Sequence, residues 1–123
     1  MKKFSNAWIS SKNPRKQRKF VYNAPLHLRS SLVVSHLSKE LRQKYLRRSL
    51  RVRIGDKVTV MRGQFRKKSG KVERISTEKC KAYITGIEVI KKDGSKALYP
   101  IHASNLMITE LILTDKRRIE VKK

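Results

Sequence analysis

Residues 52–75 read VRIGDKVTVMRGQFRKKSGKVERI, and their spacing decides the fold. Val58 and Val60 alternate with Lys57 and Thr59, the period-two pattern of a half-buried strand. Gly55 and Asp56 stand before that strand as a turn, and Arg62 and Gly63 open a loop after it. The loop, residues 64–69, carries Arg66, Lys67 and Lys68 and closes on Gly70, from which residues 71–75 resume a strand. A glycine at such a turn permits φ > 0 and a close approach of the backbone to another chain. Strand, cationic loop and strand thus form one unit that raises three positive charges toward whatever approaches.

Downstream the strand pattern continues. Ala82 and Ile84 share one face, whereas Ile87 and Val89 fall on the opposite phase. The slip lies at Gly86 and predicts a bulge or sharp bend, as small barrels need. Asp93 and Gly94 are a strong hairpin-turn signal between residues 87–90 and 97–99. Residues 106–113 form a largely apolar run, followed by a charged tail. Five short strands in about sixty residues, punctuated by glycine, predict a mainly β fold built as a small barrel.

Upstream the pattern is lost. Residues 1–24 show no helical or strand periodicity: Phe4, Trp8, Ile9, Phe20, Val21 and Tyr22 are separated by Lys12, Arg15, Lys16, Arg18 and Lys19. Pro14 and the polar residues 10–13 predict an extended arm. Aromatics among cations suit RNA, because rings stack on exposed bases while Lys and Arg meet phosphates. The plainer reading is a solvated tail with a few anchoring hydrophobes.

Residues 25–48 read as two short helices. Pro25 suits a first turn, with Leu28 and Leu32 one turn apart. Ser38 caps the second, with Glu40 in its first turn. Leu37, Leu41 and Tyr45 recur every four residues as one packing stripe, and Arg42, Lys44, Arg47 and Arg48 lie off it.

The charge narrows the partner. The chain has 123 residues, with 32 Lys plus Arg against 9 Asp plus Glu, a formal charge of +23. Residues 1–53 hold 15 basic side chains and 1 acidic one, the latter being Glu40. Such an excess repels itself and makes sense when a polyanion neutralises it, nucleic acid before an anionic membrane. No apolar run approaches the ~18 residues of a membrane span, so no membrane insertion is expected. Cys80 and three scattered histidines make neither a disulfide nor a zinc module.

Catalysis is equally unsupported. His27, His36 and His102 have no paired acid or base, and no nucleophile motif or phosphate-binding loop is present. No enzyme activity, metal or cofactor is expected. His27 reads as an RNA or backbone hydrogen-bond partner, His102 as a turn residue and Cys80 as a structural thiol. Residues 115–123 read as either a short helix or a solvated, RNA-facing end.

The unit at residues 52–75 resembles the KOW motif of SH3-like RNA-binding barrels. Its flanks sharpen the match: SKNPRKQRKFVYNAPLHLR (residues 11–29), LSKELRQKY (37–45) and YPIHASNLMI (99–108). Together they resemble the archaeal form of the large-subunit ribosomal protein twenty-four family, whose eukaryotic counterpart is large-subunit protein twenty-six. The resemblance covers residues 11–120, nearly the whole chain.

It implies a basic N-terminal extension with short helices (residues 1–50), an SH3-like KOW barrel (51–113) and a charged tail (114–123). It also implies binding to the 5′ domain of large-subunit rRNA, early in assembly and near the polypeptide tunnel exit, among neighbouring ribosomal proteins in the cytoplasm. The hairpin around residues 91–96 corresponds to the one projecting near the exit, where targeting factors are possible partners.

Carried onto this sequence, the rRNA-contacting extension comprises Lys12, Arg15, Lys16, Arg18, Lys19, Asn23, His27 and Arg29. Lys39, Arg42, Arg47, Arg48, Arg51, Arg53 and Arg62 extend the expected RNA-binding set, with Arg66, Lys67 and Lys68 on the loop. Gly55, Asp56, Gly63 and Gly70 match the KOW framework. Lys67 stands where archaeal relatives commonly carry Gly, and Ala103 replaces a frequent Pro. The alternatives are a transcription-elongation KOW module, which normally accompanies a further polymerase-binding domain, and a non-specific RNA chaperone.

Overall fold

The computed structural model describes Phe4 and residues 11–119. Trp8 and Ile9, expected above as part of the arm, lie outside the described residues, as do residues 120–123.

The first element corrects the expectation of an extended arm. Residues Pro14–Asn23 form a helix, α1. Asn13 is extended at φ −73° and ψ 117°, and its side chain accepts a hydrogen bond from Arg15 N at 3.0 Å. Pro14 then takes the first helical position, where its fixed φ suits the helix and its missing N–H costs nothing. The proline starts a helix instead of marking an extended arm. Ala24 is extended, as a residue before proline must be, and the second helix, α2, spans Leu26–Leu32 after Pro25.

A short strand, β1, follows at Val34–Leu37, and then α3 at Lys39–Tyr45. Ser38 caps α3 through its hydroxyl, with Glu40 in the first turn, as expected. Leu37 belongs to β1 and is buried in the core, so the expected stripe crosses from strand to helix. The remaining strands are β2 (Ser49–Arg51), β3 (Lys57–Val60), β4 (Ser69–Ser76), β5 (Lys81–Ile84), β6 (Glu88–Ile90), β7 (Lys96–Leu98), β8 (Ile101–His102) and β9 (Leu106–Glu110).

Seven strands form one mixed sheet in the order β2-β1-β9-β3-β4-β5-β8, and β6 pairs with β7 as a separate hairpin. β1 runs parallel to β9; the other pairings are antiparallel. No pairing that closes the ladder is present among the described residues, so the architecture shown is one large mixed sheet. β1 and the first two residues of β2 come from residues 1–50 and join the same sheet.

Alternation places Val58, Val60, Val72, Ala82, Ile84, Leu106 and Ile108 on the inner face, where they join Val33, Leu37 and Ile87 in one core. Gly70 lets two segments meet: a Cβ there would lie 2.7 Å from Ile84 Cγ2 and closer still to the Thr85 carbonyl oxygen. The phase slip at Gly86 is a turn that returns the chain through Ile87, which is buried.

Candidate nucleic-acid interface

In α1, Arg15, Lys16, Arg18 and Lys19 are exposed, as is Lys12 just before it. Spacings of three and four residues place Arg15, Arg18, Lys19 and Tyr22 on one face, and Tyr22 is 77% exposed. Phe20 and Val21 are half-buried on the other side, and the Phe20 ring meets Phe4 at 5.1 Å between centroids. α1 has no acidic residue in its first turn and no basic one in its last. Arg15 and Lys16 therefore sit at the positive end of the helix dipole, where a cation is unfavourable by ~0.3–1 kcal/mol at low salt. Their placement works against the isolated helix and favours an approaching anion.

The rest of the extension divides by engagement. His27 is exposed, and Asn23 and Arg29 are half-buried. Arg29 donates from its guanidinium to the Tyr22 carbonyl, tying α2 back to the end of α1. A cleft of about 490 Å³ opens there, lined by Arg18, Val21, Tyr22, Arg29, Glu78 and Lys79. In α3, Lys39 is exposed, whereas Arg42 Nε donates to the Leu37 carbonyl at 2.8 Å. Arg47 is half-buried, while Arg48, Arg51 and Arg53 are exposed.

The β3–β4 loop is cationic and ordered. Lys67 N donates to Val60 O at 2.9 Å and Val60 N to Lys68 O at 2.9 Å, so the loop folds back on the end of β3. Arg62, Arg66, Lys67 and Lys68 remain exposed. Lys67 has φ +70°, in the left-handed region that favours glycine. The backbone path thus suits the glycine that the resemblance implied for this position, with a lysine held in it. Lys68 Nζ lies 5.4 Å from the centroid of the Phe65 ring.

Among the framework residues Asp56 holds the fold together, and here sequence reasoning missed a partner. Asp56 is fully buried. Its carboxylate accepts from Arg53 N at 2.9 Å and Ile112 N at 3.1 Å, and pairs with the buried Arg118 through both oxygens. Arg118 also donates to the carbonyls of Ile112 at 2.9 Å and Arg51 at 3.0 Å. Arg118 lies in a short 3-10 turn, Lys116–Arg118, in the tail expected to be either helical or solvated. One arginine in a run of charges carries no periodic signal, so nothing in the sequence separates it from its exposed neighbour Arg117.

Beside this clasp, Arg53 pairs with Asp115 at 2.9 Å with both side chains partly exposed. The Arg53 hydrogen bond, followed by that from Arg117 N, holds the Asp115 carboxyl below its ordinary 3.8. His102 is the turn residue of the next 3-10 segment, Ala103–Asn105, where Nδ1 accepts from Ser104 N at 3.3 Å. Among the described residues no group of three or more His, Cys, Asp or Glu could hold a metal, and no helix is long and apolar enough to cross a membrane.

These features define a class: a small, strongly basic sheet protein whose exposed cations suit a polyanion better than a reacting substrate. The comparison with known families then makes the class specific. The family that unites eukaryotic ribosomal protein twenty-six with archaeal ribosomal protein twenty-four of the large subunit matches residues 11–122, and the chain belongs to that family. It is also 48% identical over 108 residues to the large ribosomal subunit protein uL24 of Methanosphaera stadtmanae, covering 88% of this chain and 92% of that one. The chain is thus a ribosomal protein, structural and not enzymatic in role, and its location is the cytoplasmic ribosome.

Proposed function

We propose that the chain is a constituent of the large ribosomal subunit that binds the 5′ domain of large-subunit rRNA, acts early in assembly and lies near the polypeptide tunnel exit. Neighbouring ribosomal proteins complete its surroundings. The observation that carries this reading is the α1 surface, where Lys12, Arg15, Lys16, Arg18 and Lys19 are exposed with no acidic residue anywhere in residues 1–39. Phosphate neutralisation and counterion release supply affinity, and the folded shape of the rRNA supplies selectivity.

In this reading the sheet is an SH3-like barrel of the KOW type. The β1 side of the sheet approaches its β8 end where Ser35 Oγ in β1 donates to Ala103 O, just after β8, at 2.6 Å. The β3–β4 loop is a second RNA-facing element. The β6–β7 hairpin, with Val89 and Ile90 exposed, is the element offered to targeting factors at the exit.

Quantitative mass spectrometry of salt-washed large subunits, with RNA footprinting of the bound particle, tests this. One copy per subunit with protections in the 5′ domain is expected. Absence from subunits with recovery on RNA polymerase would overturn it in favour of an elongation module.

A further inference from the structure

The RNA-binding reading leaves a second cleft unused, between the β3–β4 loop and the connection from β7 to β8. It has a volume of about 150 Å³, and its lining includes Arg62, Gln64, Phe65, Tyr99, His102 and Asn105. Phe65 and Tyr99 stand 5.0 Å apart between ring centroids, tilted by 55°. Phe65 packs against the core, which anchors the pair, while Tyr99 is 38% exposed and presents its ring to the cleft. A rigid aromatic wall of this kind stacks on a nucleobase whatever its identity.

Polar groups lie around that wall. Asn105 O accepts from Met61 N at 2.8 Å, so the residue is fixed, and its side-chain amide has no protein partner among the described residues. His102 Nδ1 is engaged by Ser104 N at 3.3 Å and Ser104 Oγ at 2.8 Å, which leaves Nε2 as the ring's other hydrogen-bonding atom. Amide and imidazole groups read base edges in unpaired RNA. Lys81 joins Arg62 in the lining, Lys68 sits over Phe65, and no acidic residue lines the cleft.

Resting on the RNA-binding reading, we propose that this cleft takes one unpaired RNA nucleotide, its base stacked on Tyr99 and its phosphates facing Arg62, Lys68 and Lys81. A paired duplex hides its base faces inside the stack and does not enter. The site discriminates strand state, whereas the lysines and arginines elsewhere respond to charge alone.

The test uses the full chain with two RNA hairpins of equal length, one fully paired and one with a single-nucleotide bulge. Tyr99→Ala is expected to weaken binding to the bulged hairpin by about tenfold and to leave the paired one unchanged. Tyr99→Phe keeps the ring and is expected to retain the preference. Because tyrosine carries no charge, the salt slope stays the same in both variants. The Tyr99 ring protons shift upfield on adding the bulged hairpin, an NMR readout that needs no variant.

Equal losses on both hairpins, or a ring shift saturated by adenosine monophosphate with no gain from a strand, would overturn the assignment. So would unchanged binding in Tyr99→Ala. Failure of the wild-type chain to bind either hairpin would instead strike the RNA-binding reading itself.

Discussion

The helices of residues 14–32 and the sheet behind them carry cations for opposite reasons. α1 and α2 bury no residue of their own, and α1 presents its cations to solvent without an acidic partner. In the 3-10 turn clasped to the sheet, Arg118 is buried to 7% exposure against a fully buried Asp56, with two carbonyls taking further protons. The helical cations gain little from the fold and await an external anion. Arg118 has its anion already and holds the fold with it. The same residue type therefore serves binding in one region and stability in the other, and burial with a partner decides which.

The largest expected effect comes from breaking the clasp. Arg118→Ala leaves the Asp56 carboxylate buried without its counter-charge, and such losses cost about 3–5 kcal/mol. Denaturant unfolding of the full chain should show stability fall by that amount. A loss below about 1 kcal/mol would mean that water replaces the guanidinium, and the clasp would then resemble an exposed pair.

Deleting residues 1–24 should do the reverse. The sheet should melt nearly as before, because α1 contributes no buried residue and the buried Ala24 lies outside the core cluster. RNA affinity should fall by about tenfold or more near 0.1 M salt, with a log–log salt slope shallower by ~0.7 for each phosphate no longer neutralised. An unchanged slope would remove α1 from the interface. Together the two experiments separate the cations that stabilise from those that bind.

Much of the sheet is legible in the sequence because period-two alternation and turn residues are local signals. Val58, Val60, Ala82 and Ile84 show their inward face by alternation, and Asp93 with Gly94 marks the β6–β7 turn. α1 escapes such a reading because Asn13 and Pro14 look like loop residues unless taken together as cap and first helical position. β1 is hidden because Leu37 also fits a helical stripe with Leu41 and Tyr45. β8 has two residues, too few for any period. Of the candidate site, composition locates the exposed cations. Hydrogen bonds from Arg29 and Arg42 to backbone carbonyls join one element to another, so no spacing reports them.

Lys67 tests the comparison at a single residue, since it serves neither side cleanly. Its φ of +70° costs a non-glycine residue about 1 kcal/mol, while its exposed ammonium belongs with the binding cations. Lys67→Gly should therefore raise stability by up to about 1 kcal/mol and lower the RNA salt slope by about 0.7. Lys67→Ala keeps the strain and loses the charge, so it should change only the slope. Stabilisation by both substitutions would place the cost in charge repulsion instead of the backbone.

The smallest effect lies beside the clasp, where Asp115 offers the exposed counterpart of Asp56. Its carboxyl is held below 3.8, first by the Arg53 side chain and then by Arg117 N. A carboxylate with a depressed folded value stabilises above its unfolded value and loses that contribution as pH falls through the folded one. The stability difference between the wild type and Asp115→Asn should thus be constant near neutral pH and shrink as pH falls below the ordinary carboxylate value through the depressed folded one. It should also shrink with salt, because both partners of this pair are partly exposed. A difference that survived at the acid end would belong to the hydrogen bonds that asparagine also disturbs. The charge of Asp115 would then contribute nothing, and the distinction between buried and exposed arginines would be sharper than the pair of clasps alone implies.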